Sequence, residues 1–302
     1  MQIVFDDGVL GVHGDDFEYI FSYTRGGPES IRIRGKEWAY RPPRPTFWRA
    51  TTCNDRGNKF SVKSSMWLGA DMFISVRDIH VYADGTRVEK FTAPYNTALI
   101  GSPLEHSRLI EIVYVYETTT VPAATVSVRY SVEEKGSMRV TAEYEGKAGL
   151  PELPAFGMRF IMPETADGFE YTGLSGETYP DRMAGGVPGT YRVKGLPVTP
   201  YMVPQECGMH MQTERLTVTQ GNSVFTVSDN GTPFAFSALP YTSEELENAT
   251  HHEELPLPRR TVLCIFGAVR GVGGIDSWGS DVSPEYRIDA GKNHSVSFII
   301  NN

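Results

Sequence analysis

The stretch Gly271-Val272-Gly273-Gly274-Ile275-Asp276-Ser277-Trp278-Gly279 sets one tryptophan among four glycines near the C-terminus. Glycine reaches backbone angles closed to other residues, so such a loop can turn tightly or lie against a ligand. Tryptophan adds a broad apolar face with an N–H at one edge. That combination suits stacking on a sugar ring, whose C–H bonds line one face while its hydroxyls point outward. The alternative is structural: Trp278 caps the core and the glycines serve turns.

Other reactive residue types lack the arrangement that chemistry needs. His251-His252-Glu253-Glu254 has metal-ligand residue types, but adjacent histidines on a strand or coil point to different sides, and a solvated patch is expected. Asp6-Asp7, Asp15-Asp16 and Glu244-Glu245 could supply paired carboxylates. Retaining glycoside hydrolysis needs two carboxyls about 5 Å apart across the scissile bond, which exposed neighbours in acidic runs do not provide. Cys207 lies near His210, yet nothing nearby would activate a thiolate, and a buried structural thiol is expected. No P-loop, HExxH, GxSxG or dinucleotide fingerprint occurs.

The elements that would hold the tryptophan loop are strands. Val126, Val128, Tyr130 and Val132 alternate with polar residues, and so do Met138, Val140, Ala142 and Tyr144 after the loop Glu133-Glu134-Lys135-Gly136-Ser137. This period-two pattern predicts an antiparallel hairpin. Gly221-Asn222 joins Leu216–Gln220 to Ser223–Val227 with glycine first, as a type II′ turn prefers. Further strands are expected at Glu18–Tyr23, Ile110–Glu117, Phe156–Met162, Phe234–Ala238, Thr261–Val269 and His294–Ile300. Helices are few: Ser243–Ala249, with Thr242 and Glu245 at capping-box spacing, and a short turn over Val62–Leu68 stopped by Gly69. Many strands, few helices and no parallel βα repeats indicate sheet packed on sheet. No linker, repeat or low-complexity tract divides residues 1–302, which read as one domain.

With 40% hydrophobic and 22% charged residues, the 302-residue chain has the composition of an ordinary globular protein. A net charge of -9 argues against nucleic acid as a partner. No run of about 18 apolar residues predicts a membrane span. Acids at Asp6 and Asp7 stand where a signal peptide would be basic. Cys53, Cys207 and Cys264 are odd in number and far apart, which suits reduced thiols. The expected location is the cytoplasm.

Five segments together carry a resemblance. Pro45-Thr46-Phe47-Trp48-Arg49-Ala50-Thr51-Thr52-Cys53-Asn54-Asp55-Arg56-Gly57 resembles the opening of the C-terminal domain of glycoside hydrolase family 2 β-galactosidases. Gly176-Glu177-Thr178-Tyr179-Pro180-Asp181-Arg182 is similar to that domain's ExYxDR motif, and Tyr201 to Gly208 to its PQExG motif. Ala249-Thr250-His251 and the tryptophan loop complete the set, in the family's order. Met209-His210-Met211-Gln212 is closest to the heterodimeric lactic-acid-bacterial branch, in which this domain is a separate small chain. The sequence departs from the common pattern at Thr51, where proline is usual, and at Cys53, where aspartate is usual.

The resemblance implies an all-β, galactose-mutarotase-like supersandwich of two large antiparallel sheets with few short helices. It implies a partner, a large catalytic subunit or TIM-barrel domain that carries both catalytic glutamates and any Mg2+. This chain would then hold no catalytic residue, metal or cofactor of its own. Trp278 would line the aglycone side of a β-galactoside pocket, and Asn54, Asp55 and Gly57 would form a loop and hinge beside it. Asp181, Arg182 and Glu206 would serve as structural ion pairs or subunit contacts. Two rivals stand beside this: a stand-alone carbohydrate-binding module or mutarotase-like epimerase, and a purely structural subunit. An epimerase would need a histidine and a glutamate converging as acid and base, with His80, His106, His210 and His251 as candidates.

Overall fold

The computed structural model describes residues 1–276 and 278–302. Among the described residues the strands form three antiparallel sheets. The large sheet has ten strands in the order Pro188–Lys194, Gly168–Leu174, Arg215–Gln220, Ser223–Asp229, His294–Asn301, Met138–Tyr144, Thr125–Glu133, Leu109–Glu117, Ser75–Ala83 and Thr86–Arg87. The first small sheet runs Gln2–Phe5, Val9–His13, Phe17–Ser22, Pro28–Ile33, Lys36–Glu37. The second runs Met209–Thr213, Phe234–Leu239, Thr261–Val269, Ala155–Met162, Arg41–Thr46. Arg41–Thr46 carries three prolines and lies at the sheet edge, where missing N–H donors are tolerated.

Register shows how the sheets stack. Tyr130, Val140 and Phe298 are direct cross-strand partners, so they share one face of the large sheet. Tyr130 meets Phe21 of the first small sheet, and Phe298 meets Phe160 of the second. Both small sheets therefore cover the same face, forming a second layer side by side. Alternating residues such as Val126, Val128 and Val132 supply the shared core. This is the all-β sandwich expected, with the second layer split into two sheets.

Most predicted strands form within a residue or two of their expected ends. Gly221 has φ +58°, as the first position of a type II′ turn requires. Helix α1 (Cys53–Gly57) was not expected. Helix α2 (Phe60–Lys63) and a 3-10 turn (Ser65–Trp67) replace the single turn predicted over Val62–Leu68. Its two serines are responsible: Ser64 Oγ donates to Glu152 O and Ser65 Oγ to Val62 O, which interrupts the helix. Helix α3 (Ser243–Asn248) starts at Thr242 with the predicted capping box. No helix among the described residues is long and apolar enough to cross a membrane.

Candidate functional site

Four loops leaving the small and large sheets meet at one place. They follow strand Arg41–Thr46, follow Gly168–Leu174, precede Met209–Thr213 and follow Thr261–Val269. At their centre Asp55 is fully buried in the first turn of α1, between two buried arginines. Arg49 Nη1 donates to Asp55 Oδ2 at 2.7 Å, and Arg270 Nη1 to Oδ1 at 3.0 Å. The Thr52 N–H donates to Oδ2 at 2.9 Å, while the Asp55 N–H donates back to Thr52 Oγ1 at 3.1 Å. This reciprocal pair is a capping box that starts α1. Burial pushes the Asp55 carboxyl up, but Arg49, Thr52 and Arg270 outweigh it and hold the group ionised, below its ordinary range.

The charged cluster fixes the base of the tryptophan loop. Arg49 Nη2 donates to Gly271 O at 2.8 Å. Asp181 accepts the Val272 and Gly273 N–H groups at 3.0 and 2.8 Å, and Arg182 donates to Gly273 O. Asn54 Nδ2 donates to Val272 O at 3.0 Å. Arg270 also pairs with Asp281 and lies over the Phe60 ring, its guanidinium 3.8 Å from the centroid. Gly273 and Gly274 have φ of +69° and +78°, and a Cβ on Gly274 would meet Asn54 Nδ2 at 2.9 Å. Here backbone angle requires both glycines, and at Gly274 the approach of the Asn54 side chain adds to it.

At the tip, Asp276 accepts the Trp278 and Ser280 N–H groups at 2.9 and 3.2 Å and the Ser280 hydroxyl. These three donors hold its carboxyl below the usual range. Ser277, quoted within the motif, lies outside the described residues. The indole of Trp278 is 91% exposed, so the alternative of a core cap is not what forms. Gly57 ends α1, and a Cβ there would sit 3.7 Å from Gly279 Cα, an ordinary contact. Its φ lies outside the left-handed region, so neither backbone angle nor space demands glycine at this position.

Of the two departures from the common motif, Thr51 gains ties of its own, and Cys53 is held through its backbone. Thr51 donates its N–H and hydroxyl to Glu247 of α3 at 2.6 and 2.7 Å, ties that a proline N could not make. The Cys53 N–H donates to Gln205 Oε1 at 2.9 Å, which joins α1 to the Tyr201–Gly208 segment. That segment also presents buried Glu206, which accepts the Ala50 N–H at 3.1 Å. Asp181 and Arg182 act mainly on loop backbone, their mutual approach being 3.8 Å.

Burial pushes Glu206 up to about 8 from an ordinary 4.5, against the opposing pull of Arg49. A carboxyl whose folded value is raised loses stabilisation as the unfolded chain ionises first. Stability is therefore expected to fall as pH rises from about 4.5 to about 8. Glu206→Gln should flatten that dependence, melting above the wild type at pH 8 and close to it at pH 5. An equal melting offset at both pH values would show that Glu206 is ionised in the fold.

The remaining candidates take structural places. Cys207 is fully buried, its thiol pushed up to about 12 by desolvation. His210 stacks on Phe236 at 4.8 Å and burial pushes it down to about 4, so it packs as a neutral aromatic ring. His251 is exposed and bonds Glu254. Among the described residues no group of three or more His, Cys, Asp or Glu could hold a metal ion. The reading of Glu244 as an exposed acid is corrected: it accepts from Arg159 at 2.9 and 3.0 Å, and Arg159 also pairs with buried Asp71 at 2.7 Å. Arg49, Arg159 and Arg270 went unassigned in the sequence. The available signal was a lone arginine inside or beside an apolar strand, since a buried cation requires a counter-charge.

The sandwich and its loop cluster define an all-β chain that presents one aromatic side chain on a rigid charged base. The profile of the family described as beta-galactosidase small chain matches residues 13–300. The chain belongs to that family. It is 54% identical to the β-galactosidase small subunit of Latilactobacillus sakei, over 99% of this chain and 97% of that one. It is 34% identical to a β-galactosidase of Lactobacillus delbrueckii subsp. bulgaricus and 30% to one of Streptococcus thermophilus. Each alignment covers 99% of this chain but only 28% and 27% of those longer proteins. Among solved structures, a putative aldose 1-epimerase from Escherichia coli K12 aligns with TM-score 0.47 and 11% identity, covering 97% of this chain and 98% of that one.

Proposed function

We propose that this chain, acting as one domain, is the small subunit of a cytoplasmic family 2 β-galactosidase and completes the aglycone side of its pocket. Trp278 stacks on the aglycone sugar of lactose or another β-D-galactoside. Asn54 and Asp55 set the loop's position, and Gly57 serves as a hinge where α1 meets Gly279. The two glutamates of retaining hydrolysis, and any Mg2+, belong to the large partner chain. The observation that carries this reading is the fully displayed indole on a loop whose base is locked by buried charge. Fixing the base of the loop lowers part of the ordering cost of binding, leaving the exposed tip to be ordered by the sugar.

Lactose and nitrophenyl-galactoside hydrolysis should be assayed with this chain alone, with the large chain alone, and with both. Activity is expected from the mixture, far above either chain by itself. Hydrolysis by this chain alone would place the catalytic acids here and end the subunit reading. Interconversion of galactose anomers by this chain would favour the epimerase instead.

A further inference from the structure

The segment that follows α1 is built in two halves. Phe60, Trp67, Ala70 and Asp71 are buried anchors: Trp67 Nε1 donates to Pro151 O at 3.0 Å, and Asp71 pairs with Arg159. Between and just beyond those anchors the segment displays apolar side chains to water. Val62 and Phe73 are 71% and 68% exposed, and Met66, Leu68 and Met72 are exposed as well. Val121, 77% exposed, joins them, its N–H donating to Met66 Sδ at 3.4 Å. Met72 Cε and Phe73 Cε2 both lie within 4 Å of the position a Cβ on Gly69 would take.

Single exposed apolar residues are ordinary, but several gathered within one short segment mark an interaction surface. Two methionines suit it to close packing against a surface of irregular shape. The position of the cluster indicates its occupant. It continues directly from α1, whose Gly57 packs on Gly279 of the tryptophan loop. In the longer β-galactosidases aligned above, a chain like this one is about a quarter of a single polypeptide. A remainder about three times as long therefore accompanies it in those proteins.

We infer that Val62, Met66, Leu68, Met72, Phe73 and Val121 form the docking surface for the large catalytic chain. This rests on the small-subunit reading. Docking here would bring the partner's pocket up to the loop that α1 supports, so one interface would both join the chains and aim Trp278.

The test measures association of the full-length chain with the large catalytic chain, by biosensor or sedimentation. Val62→Ser/Phe73→Ser alters only exposed side chains and should leave the melting temperature unchanged. It is expected to weaken association at least about tenfold. Ile100→Ser, an exposed apolar change in the Tyr95–Leu99 region whose Asn96 bonds Phe5 of the first small sheet, should leave association unchanged. If the wild type binds and the double variant binds within about twofold, the docking surface is elsewhere while the subunit reading stands. No binding by the wild type would overturn both. Self-association of this chain, abolished by the double variant, would make a second copy the occupant and overturn the inference.

Discussion

Asp55→Ala is expected to lower the melting temperature by about 10 °C and to uncouple the tryptophan loop from its base. Asp55 neutralises two guanidinium groups that are themselves buried, Arg49 and Arg270. Removing one member of a buried pair costs roughly 3–5 kcal/mol, chiefly because an uncompensated charge remains inside. Arg270 keeps Asp281 and Glu152, but among the described residues the ion pair to Asp55 is the one recorded for Arg49. The Thr52 N–H loses its carboxylate acceptor as well, half of the capping box of α1, which adds about 1 kcal/mol. At about 2.1 cal/mol/K of unfolding entropy per residue, a chain of 302 residues shifts by roughly 1.6 °C per kcal/mol, which brings the expected fall close to 10 °C. Asp55 is held below its ordinary range, so its contribution is present above the unfolded value near 3.8 and is lost only as pH falls through the lower folded value. The destabilisation should therefore be constant across neutral pH. A melting temperature within about 2 °C of wild type would show that this cluster is not what holds the site together.

Two kinds of information separate what the sequence discloses from what only coordinates disclose. Local periodicity is written in neighbouring residues. The alternation in Thr125–Glu133 and Met138–Tyr144 therefore identifies both strands, their turn and their buried face. The capping box at Thr242 and Glu245 is equally local. The same spacing at Thr52 and Asp55 marks α1, but an aspartate in a motif of loop residues reads as a turn former. Long-range pairing leaves no such trace. Asp55 and Arg270 are 215 positions apart, and nothing near either names the other. Glu244 looks like a surface acid because its partner Arg159 lies 85 positions earlier in a strand buried along its whole length. Resemblance to a family bridges part of this gap, since its motifs at 45–57, 176–182, 201–208 and 273–279 are the segments that meet around Asp55. It does not say which residues in them carry the charge cluster.

Trp278→Ala should alter substrate binding and spare the chemical step. A sugar ring laid on one indole face removes on the order of 80 Å2 of apolar surface from water, about 2 kcal/mol at 25 cal/mol per Å2. Part of this is offset by ordering of the sugar and of the exposed loop tip, leaving about 1–2 kcal/mol. Each 1.4 kcal/mol is tenfold, so KM for lactose is expected to rise roughly 5- to 30-fold. A contact made equally in the bound substrate and the transition state changes KM and leaves kcat nearly untouched. Trp278→Phe keeps a flat apolar face and should recover most of the loss. Because the side chain is 91% exposed, neither substitution should disturb folding.

If this chain contributes recognition and no bond cleavage, the lactose kinetics of the reconstituted two-chain enzyme carrying Trp278→Ala will show it. A KM raised about 5- to 30-fold with kcat within about twofold of wild type is the predicted result. An unchanged KM, or a large fall in kcat at constant KM, would mean that Trp278 does not serve substrate recognition.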